Sequence, residues 1–162
     1  MSARVGVIIP NYNHAKFLTE RINSVLNQTY QDFDVYILDD KSPDNSKDII
    51  EKYRNNPRVK QIIYNEENSG SSFIQWHRGI LASDNDLIWI AESDDICDLH
   101  LLENLVAEFD YDENCILAFS KSVYVDINGI PKEKSVSKET IRTKGLNFIQ
   151  SNMYRSNIVK NA

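Results

Sequence analysis

Four carboxylates follow a short apolar run in the middle of the chain. The stretch WIAESDDICD, residues 89–98, places Glu92, Asp94, Asp95 and Asp98 within seven positions. Carboxylates this close repel one another unless a cation or solvent offsets their charge. Mg²⁺ and Mn²⁺ favour carboxylate oxygens, often together with substrate phosphates and water. The stretch therefore predicts a divalent-cation site for a phosphorylated ligand, with a solvated turn as the alternative, and Asp98 is predicted to cap a following helix.

Two more polar clusters stand directly after apolar runs. They are Asn11-Tyr12-Asn13 and Asp39-Asp40. In open α/β sheets, ligands bind outside the carboxyl ends of the strands, so clusters at three strand ends would meet at one edge. There Tyr12 offers a flat face for a base, and Asp39 or Asp40 can accept a hydrogen bond from a base N–H. A loop aromatic and a tight turn are the structural alternatives for these residues.

The sequence has neither of the usual glycine-rich phosphate loops. No G-x-G-x-x-G follows the first predicted strand, and G-x-x-x-x-G-K-[ST] does not occur. An acidic edge would repel a bare diphosphate, but a cation between them would join the two. Arg78 could reach a phosphate, with a solvated helix residue as the alternative. Trp76 and Trp89 are expected in the core.

The charge of the chain is unevenly distributed. Lys and Arg number 18 against 24 Asp and Glu, a formal net charge of −6, which argues against a dedicated nucleic-acid binder. Eleven acids and no Lys or Arg lie in residues 79–120, so one region needs a cation or a solvated face. Cys97 and Cys115 have neither metal-ligand nor disulfide spacing and are predicted to be reduced thiols. No apolar run approaches the ~20 residues of a membrane-spanning helix, and we expect a cytoplasmic protein.

Hydrophobic periodicity predicts strands that alternate with helices, which is typical of an α/β fold with a mostly parallel sheet. Ser42 and Pro43 are expected to cap and begin the second helix. The predicted strands are 4–10, 33–39, 59–64 and 86–91, and the predicted helices are 14–28, 47–55, 73–81 and 99–109. After these we predict a strand over 115–120, a β-hairpin in which 122–127 leads to Asn128-Gly129, and a helix over 145–154.

Three stretches together resemble the nucleotide-sugar-binding half of family 2 glycosyltransferases, which have the GT-A fold. They are VGVIIPNYNHAKFLTERINSVLNQTYQDFDVYILDDKSPDNS, NSGSSFIQWHRGI and LIWIAESDD, and the resemblance runs from about Val5 to Gly129. It implies a Rossmann-like GT-A domain with a central sheet flanked by helices. By position, it implies that Pro10, Asn11 and Tyr12 line the base pocket, with Tyr12 against a uracil-type ring. It also implies that Asp40 hydrogen-bonds the base, with Asp39 beside it.

The stretch ESDD stands in the place of the family's D-x-D motif. The resemblance implies that Asp94 contacts the ribose or the metal, and that Asp95 lies close to the metal and the diphosphate. The first position of the motif is Glu92 rather than Asp; its longer side chain could still reach a metal or ribose, and a structural role is the alternative. Many relatives carry an A-R-N-x-G run, and the equivalent here is QWHRG, residues 75–79, which contains Arg78.

Inverting members of the family use a general base, usually Asp or Glu, that lies well beyond the D-x-D motif in the acceptor-binding half. It deprotonates the acceptor hydroxyl for attack on the sugar. The sequence ends at Ala162, so we expect the base beyond that residue and assign no catalytic residue. We expect one nucleotide-sugar-binding domain over residues 1–162, truncated before the acceptor-binding half.

Two functions follow from the resemblance. The first is a glycosyltransferase domain that binds a UDP-sugar through Mn²⁺ or Mg²⁺ and transfers the sugar, with inversion, to a carbohydrate or lipid-linked acceptor. Bacterial surface-polysaccharide synthesis is the expected setting, with the full-length enzyme at the inner face of the membrane. The second is a non-catalytic nucleotide-sugar-binding or scaffolding fragment without the general base. A phosphoacceptor signalling domain is disfavoured, because Asn11-Tyr12-Asn13 stands where it would need an acid pair.

Overall fold

A four-stranded parallel sheet forms the centre of the protein. The computed structural model describes residues 5–126, 130 and 142–148. The strand order is β3-β2-β1-β4. The strands β2 and β3 are added on one side of β1 and β4 on its other side, so the order in which strands are added reverses between β3 and β4. The strands are β1 (Val5–Asn11), β2 (Phe33–Asp39), β3 (Val59–Tyr64) and β4 (Leu87–Ile90). This confirms the predicted α/β class, and the reversal opens a crevice at the carboxyl ends of β1 and β4.

Helices connect the strands and cover the sheet. The described residues up to Ala118 form one compact unit, which holds the sheet and four helices, and a second unit begins at Phe119. The helices of the first unit are α1 (Ala15–Leu26), α2 (Ser46–Glu51), α3 (Ser72–Ala82) and α4 (Leu101–Tyr111). In the second unit, Gly145–Phe148 forms a short helix, α5, and the rest of the predicted helix lies outside the described residues.

The two central strands are buried along their whole length, which explains their nearly continuous apolar sequence. Alternate side chains point to opposite faces of the sheet. On one face, Val7 and Ile9 pack in a cluster with residues of α1, α2 and α4. On the other face, Ile8 packs with Tyr36 and Leu38 in a smaller cluster. The sheet therefore has apolar partners on both sides, and its polar groups collect at the strand ends.

Helix α3 lies unusually close to β1. Gly79 is buried, and a Cβ atom at this position would overlap the side chain of Ile8. Ile8 is itself fully buried, so it has no space into which to move. The absence of a side chain at Gly79 therefore sets how near α3, and the polar residues of its first turn, come to the sheet.

Two sequence predictions about local structure are wrong. Helix α2 begins at Ser46, one residue before the predicted 47–55, but its N-cap is Asn45, so Ser42 and Pro43 do not cap and begin it. The reason is that the Ser42 N–H and hydroxyl both donate to Asp39 and close a turn there. The strand predicted over 115–120 is irregular backbone, because no described strand pairs with it and Ile116 stays 87% exposed.

Two further predictions concern the segments around Asp98 and Asn128-Gly129. Helix α4 has His100 as its N-cap, and Asp98 instead accepts a hydrogen bond from the His100 N–H (2.8 Å) in a turn that leads into the helix. The Asp126 N–H donates to the Ile130 carbonyl (2.8 Å), but the predicted hairpin turn between them lies outside the described residues. Of the described helices, none combines the length and apolar character needed to cross a membrane.

Candidate functional site

A cavity of about 330 Å³ lies at the carboxyl ends of the strands, and we call it the edge cavity. Its wall is built from the carboxyl end of β1, the segments that follow β1, β2 and β4, the loop between β3 and α3, and the start of α3. The residues that line it are Pro10, Asn11, Tyr12, His14, Asp40, Asn68, Gly70, Ser71, Ser72, Gln75, Glu92 and Ser93. The structure thus brings together members of all three polar clusters that the sequence placed at strand ends.

Asp40 connects the end of β2 to the loop before α3. The carboxylate is buried, and its Oδ1 atom accepts hydrogen bonds from Asn65 Nδ2, the Ser69 N–H (2.9 Å) and Gln75 Nε2 (3.0 Å). Its Oδ2 atom accepts a hydrogen bond from the Ser69 hydroxyl (2.7 Å). Because a carboxylate offers about four lone-pair positions, little acceptor capacity remains on Asp40, and what remains is on Oδ2.

Asp39 is also buried, but it is not among the described residues that line the edge cavity. Its Oδ1 atom accepts hydrogen bonds from Asn11 Nδ2 (2.7 Å) and from the Ser42 hydroxyl (2.6 Å). Asn11 Nδ2 donates to the Ser42 hydroxyl as well, at 3.1 Å. Asp39 therefore holds the Asn11 side chain in the cavity wall and closes the turn after β2.

Tyr12 is the aromatic residue of the cavity wall. It follows β1 directly, and its side chain is 47% exposed. Asn13 then adopts a positive φ of 58°, a conformation that asparagine tolerates, and its N–H donates to the Ser42 hydroxyl (2.9 Å). The ring of Tyr12 is thus an open, flat surface fixed by a tight turn.

Glu92 also lines the edge cavity and is anchored by Trp76. The Trp76 indole Nε1 donates to Glu92 Oε1 at 2.7 Å. Burial raises the pKa of Glu92, and the charges of Asp94 and Asp95 add to that rise against the opposing hydrogen bond from Trp76. Trp76 is only half-buried and packs edge-on against Phe73, so the core prediction for this tryptophan is wrong.

Asp94 and Asp95 follow Ser93 directly and are not among the described residues that line the edge cavity. Asp94 is exposed and Asp95 is half-buried. Burial raises the pKa of Asp95, whereas the nearby charge of Arg21 lowers it. Arg21 is fully buried, and its guanidinium carbon lies 5.2 Å from the centre of the Trp89 ring. A buried positive charge therefore partly offsets the acidic segment from inside the protein.

His14 joins the segments that follow β1 and β4. Its Nδ1 atom lies 2.8 Å from the hydroxyl of Ser93, which is almost completely buried. Both residues line the edge cavity. The contact links the start of α1 to the ESDD segment and leaves the second ring nitrogen of His14 available for another partner.

Arg78 lies on a different part of the surface from the edge cavity. Its Nη1 atom donates to Asn65 Oδ1 (2.6 Å), and it lines a second cavity next to the end of β3. Asn65 also donates to Asp40, so Arg78 touches the edge cavity through one intervening side chain. Arg78, which the sequence predicted to bind a phosphate, is therefore linked to the edge cavity only through Asn65.

The comparisons with known proteins agree with one another. Residues 6–159 match the family model described as glycosyl transferase family 2. The chain belongs to glycosyltransferase family 2. An uncharacterized glycosyltransferase of Nostoc sp. is 34% identical over 108 residues, which are 65% of this chain and 33% of that protein. The glycosyltransferase GlyG of Streptococcus pneumoniae is 33% identical over 105 residues, 65% of this chain and 35% of that protein.

The family 2 chain is also similar in fold to solved structures. The crystal structure of Staphylococcus aureus TarS 1-349 in complex with UDP matches with a TM-score of 0.61 and 30% identity, over 67% of this chain and 32% of that chain. The TarS name in full is poly(ribitol-phosphate) beta-N-acetylglucosaminyltransferase. The family 2 chain spans about a third of the length of the first relatives it matches.

The family's D-x-D motif raises the question of whether the residues here suit a divalent cation. Among the residues that the structure describes, no three or more His, Cys, Asp or Glu side chains are grouped to enclose a metal ion. Mg²⁺ and related ions are commonly held by one or two carboxylates, with phosphates and water completing the shell. Asp94 and Asp95 can supply such oxygens, while Glu92 has one oxygen occupied by Trp76. The donor set therefore fits a cation shared with a diphosphate.

Three residues of the site were missed in the sequence. Arg21 sits on the apolar face of α1 with Leu18, Ile22 and Val25, and a charge at that helical spacing was a usable signal. His14 was not singled out in the sequence, and Gln75 was included only within the QWHRG run. Nothing local marks either one, because each is brought to the cavity by contacts with residues far away in the sequence.

Proposed function

We propose that this domain binds the nucleotide-diphosphate-sugar donor of a family 2 glycosyltransferase in the edge cavity. The observation that carries the proposal is the convergence of Tyr12, Asp40 and Glu92 in one cavity at the switch point of the sheet. The crystal structures of TarS in complex with UDP and with UDP-GlcNAc, at 30% identity, support a uridine nucleotide as the ligand. Pro10, Asn11 and Tyr12 form the base side of the cavity, with the base stacked on Tyr12.

The ESDD segment takes the phosphate side of the ligand. Asp94 and Asp95 would hold Mn²⁺ or Mg²⁺, with Glu92 as the anchored carboxylate beside them. When bound, the cation would neutralise the diphosphate and stabilise the charge that develops on it as the sugar leaves. The ribose is placed between the two sides, next to Asp94. Arg78 acts through Asn65 on Asp40 rather than on a phosphate, since it lines a separate cavity.

For the whole enzyme we propose transfer of the sugar, with inversion, to a carbohydrate or lipid-linked acceptor in the synthesis of a bacterial surface polysaccharide. The supporting relatives include TarS and the putative teichuronic acid biosynthesis glycosyltransferase TuaG of Bacillus subtilis, which is 27% identical over 132 residues. The enzyme would act at the inner face of the membrane, where the donor and a lipid-linked acceptor meet. We also propose that residues 1–162 belong to a single nucleotide-sugar-binding domain.

One observation favours donor binding without transfer as the alternative for this chain. Asp40 and Glu92 are the carboxylates among the described residues that line the edge cavity. Both are assigned above to binding the donor, so no further carboxylate of this described lining is left to take a proton from an acceptor hydroxyl. Donor hydrolysis by the 162-residue chain that is lost in Asp95→Ala would contradict this alternative.

Isothermal titration calorimetry tests the proposed donor binding. The chain is titrated with UDP, GDP and dTDP, each in the presence of Mn²⁺ and, separately, of a chelator. The titrations are then repeated with the corresponding nucleotide-diphosphate sugars. We expect binding of at least one nucleotide that weakens tenfold or more without the cation. Asp95→Ala should abolish that cation dependence, whereas Asp110→Ala, an exposed aspartate on α4, should leave it unchanged. Failure of every nucleotide to bind with Mn²⁺ would refute the proposal.

A further inference from the structure

The ESDD segment, residues 92–95, follows the end of β4 and is tied to two helices by its first two residues. Glu92 Oε1 accepts a hydrogen bond from Trp76 Nε1 of α3 at 2.7 Å. Ser93 Oγ lies 2.8 Å from Nδ1 of His14, the N-cap residue of α1. Two consecutive residues thus reach helices from different parts of the chain, and we call these two contacts the clamp.

Both partners of the clamp stand on firm supports. The carbonyl of His14 accepts hydrogen bonds from the Phe17 N–H (2.9 Å) and the Leu18 N–H (3.1 Å), and Leu18 is fully buried. Trp76 lies within α3 and packs edge-on against Phe73, with ring centroids 4.8 Å apart. Side chains that are held on helices place their partners more precisely than side chains on loops do. The clamp therefore gives the ESDD segment hydrogen-bond partners in fixed positions.

The two aspartates that follow are not held by such contacts. Within the part of the chain that the structure describes, neither the Asp94 nor the Asp95 carboxylate accepts a hydrogen bond. A backbone hydrogen bond from the Asp95 N–H to the Glu92 carbonyl (3.3 Å) closes a turn around them. Their like charges favour separation. The place of the two carboxylates consequently depends on how the residues before them are fixed.

We propose that His14 and Trp76 are positioning residues, which hold Asp94 and Asp95 in the arrangement that a divalent cation needs before the cation binds. This inference rests on the proposed binding of a nucleotide diphosphate with a cation at this site. A site that is ordered beforehand loses less conformational freedom on binding and so holds its ligand more tightly. Side chains that orient metal ligands typically change metal affinity by about 10- to 100-fold.

The contact between His14 and Ser93 separates this role from a direct contact with the ligand. Both residues line the edge cavity, but Ser93 is only 1% exposed, so its hydroxyl faces His14 rather than open solvent. If His14 acts through that hydroxyl, its effect on cation binding disappears once the hydroxyl is removed. If His14 touches the ligand, the effect remains.

The test measures the Mn²⁺ concentration that gives half-maximal binding of UDP, or of GDP or dTDP if the wild type binds that nucleotide instead. Calorimetric titrations at a series of Mn²⁺ concentrations provide it. His14→Leu and Trp76→Phe each remove the polar atom of one contact, and we expect each to raise that concentration about tenfold or more. At saturating Mn²⁺ the nucleotide Kd should stay within about twofold of the wild type, because excess cation draws the loosened segment into the bound arrangement.

His14→Asn is the conservative variant of the α1 contact. Its amide can donate or accept a hydrogen bond, whereas leucine, of similar size, can do neither. We expect His14→Asn to restore most of the wild-type Mn²⁺ requirement. Ser93→Ala should raise the requirement as His14→Leu does, and the double variant should raise it no further. An effect of His14→Leu that persists undiminished beside Ser93→Ala would overturn the positioning role of His14.

Two matched controls remove similar groups elsewhere. His77→Leu makes the same substitution at an exposed residue of α3 that is not among the described residues lining either cavity. Tyr53→Phe removes a hydroxyl that donates to Asn23 Oδ1 (3.0 Å), outside the edge cavity. Both should keep the wild-type Mn²⁺ requirement. If His14→Leu and Trp76→Phe lower thermal stability but also keep that requirement, the clamp serves the fold alone and the inference is overturned.

The two contacts test the inference independently if one variant does not fold. Ser93→Ala breaks the α1 contact without changing His14, and Trp76→Phe breaks the α3 contact while keeping an aromatic ring. Nucleotide binding with an unaltered Mn²⁺ requirement in every clamp variant would contradict this inference alone. Failure of every nucleotide to bind the wild type would contradict the proposed function and this inference with it.

Discussion

At the scale of single residues, the acidic segment is under electrostatic tension. The pKa values of Glu92 and Asp95 are both raised, chiefly because burial disfavours their charged forms. Arg21 opposes this from the interior, but the shifts remain upward. Raised carboxyl pKa values cluster where proteins bind cations and substrates, since a site kept for a ligand costs stability in its absence.

Glu92→Gln should therefore stabilise the protein at neutral pH. Because the pKa of Glu92 lies above its ordinary value of 4.5, its ionisation lowers stability as the pH rises from about 4.5 through the raised pKa. The amide removes that loss while its oxygen still accepts the hydrogen bond from Trp76. We expect a gain at pH 7 that stays below about 1 kcal/mol, the usual scale for a partly exposed charge, and no gain below pH 4.5.

Urea unfolding at pH 4 and pH 7 measures this difference. Glu113→Gln, at an exposed site after α4, is the control and should change stability little at either pH. A variant at Glu92 that is less stable than the wild type at pH 7 would show that the charge is favourable where it stands, and would contradict the proposed tension.

At the scale of elements, helix α3 organises the site by its spacing. Gln75 and Gly79 are four residues apart and face the sheet, whereas Trp76 is turned towards Glu92. One helix thus supplies the contact to Asp40, the anchor of Glu92 and the close packing on β1. The packing of α3 against Ile8 therefore helps to place Gln75, which lines the edge cavity, beside Asp40.

Gly79→Ala should destabilise the protein even though alanine is the better helix former. The added methyl group would overlap Ile8, which is fully buried and cannot yield without moving the helix. Overpacking of this kind costs about 1–3 kcal/mol. Thermal unfolding compared with His77→Ala, an exposed site on the same helix, gives the measurement. If Gly79→Ala unfolds at the wild-type temperature or above, the close approach of α3 to β1 is not a constraint on the fold.

At the scale of the whole molecule, charge and ligand binding are coupled. The chain carries a net charge of −6, and Asp40 and Glu92 line the edge cavity, with Asp94 and Asp95 close to Glu92 in the sequence. A cation and a diphosphate neutralise each other at such a site, so each should bind more tightly when the other is present. Ligands that bind only the folded state also raise its stability by mass action.

UDP and Mn²⁺ together should therefore stabilise the chain by more than the sum of their separate effects. At a nucleotide concentration of about 100 times its Kd, the gain approaches ~2.7 kcal/mol. Differential scanning calorimetry with UDP alone, Mn²⁺ alone and both gives the comparison, with CaCl₂ at the same ionic strength as the control for screening. Equal gains in stability with UDP alone and with UDP plus Mn²⁺ would contradict the expected coupling between nucleotide binding and cation binding.

The sequence by itself determined the four strands of the sheet and the edge on which the site lies. Two long apolar runs can be satisfied only as buried central strands, and parallel strands place their following residues at one edge. Adjacent acids were a different matter: Asp40 lines the cavity and Asp39 clamps a turn, because neighbouring residues at a strand end point in opposite directions.

Only the tertiary structure decided which polar atoms are available to a ligand. Asp40 is paired with residues 25 to 35 positions away, and one oxygen of Glu92 is taken by Trp76 of α3. The electrostatic role of Arg21 likewise depends on its contacts with Trp89 and the acidic segment, which are distant in the sequence. Composition and spacing fix which chemical groups are present, while long-range hydrogen bonds and burial fix which of their lone pairs and charges remain to be used.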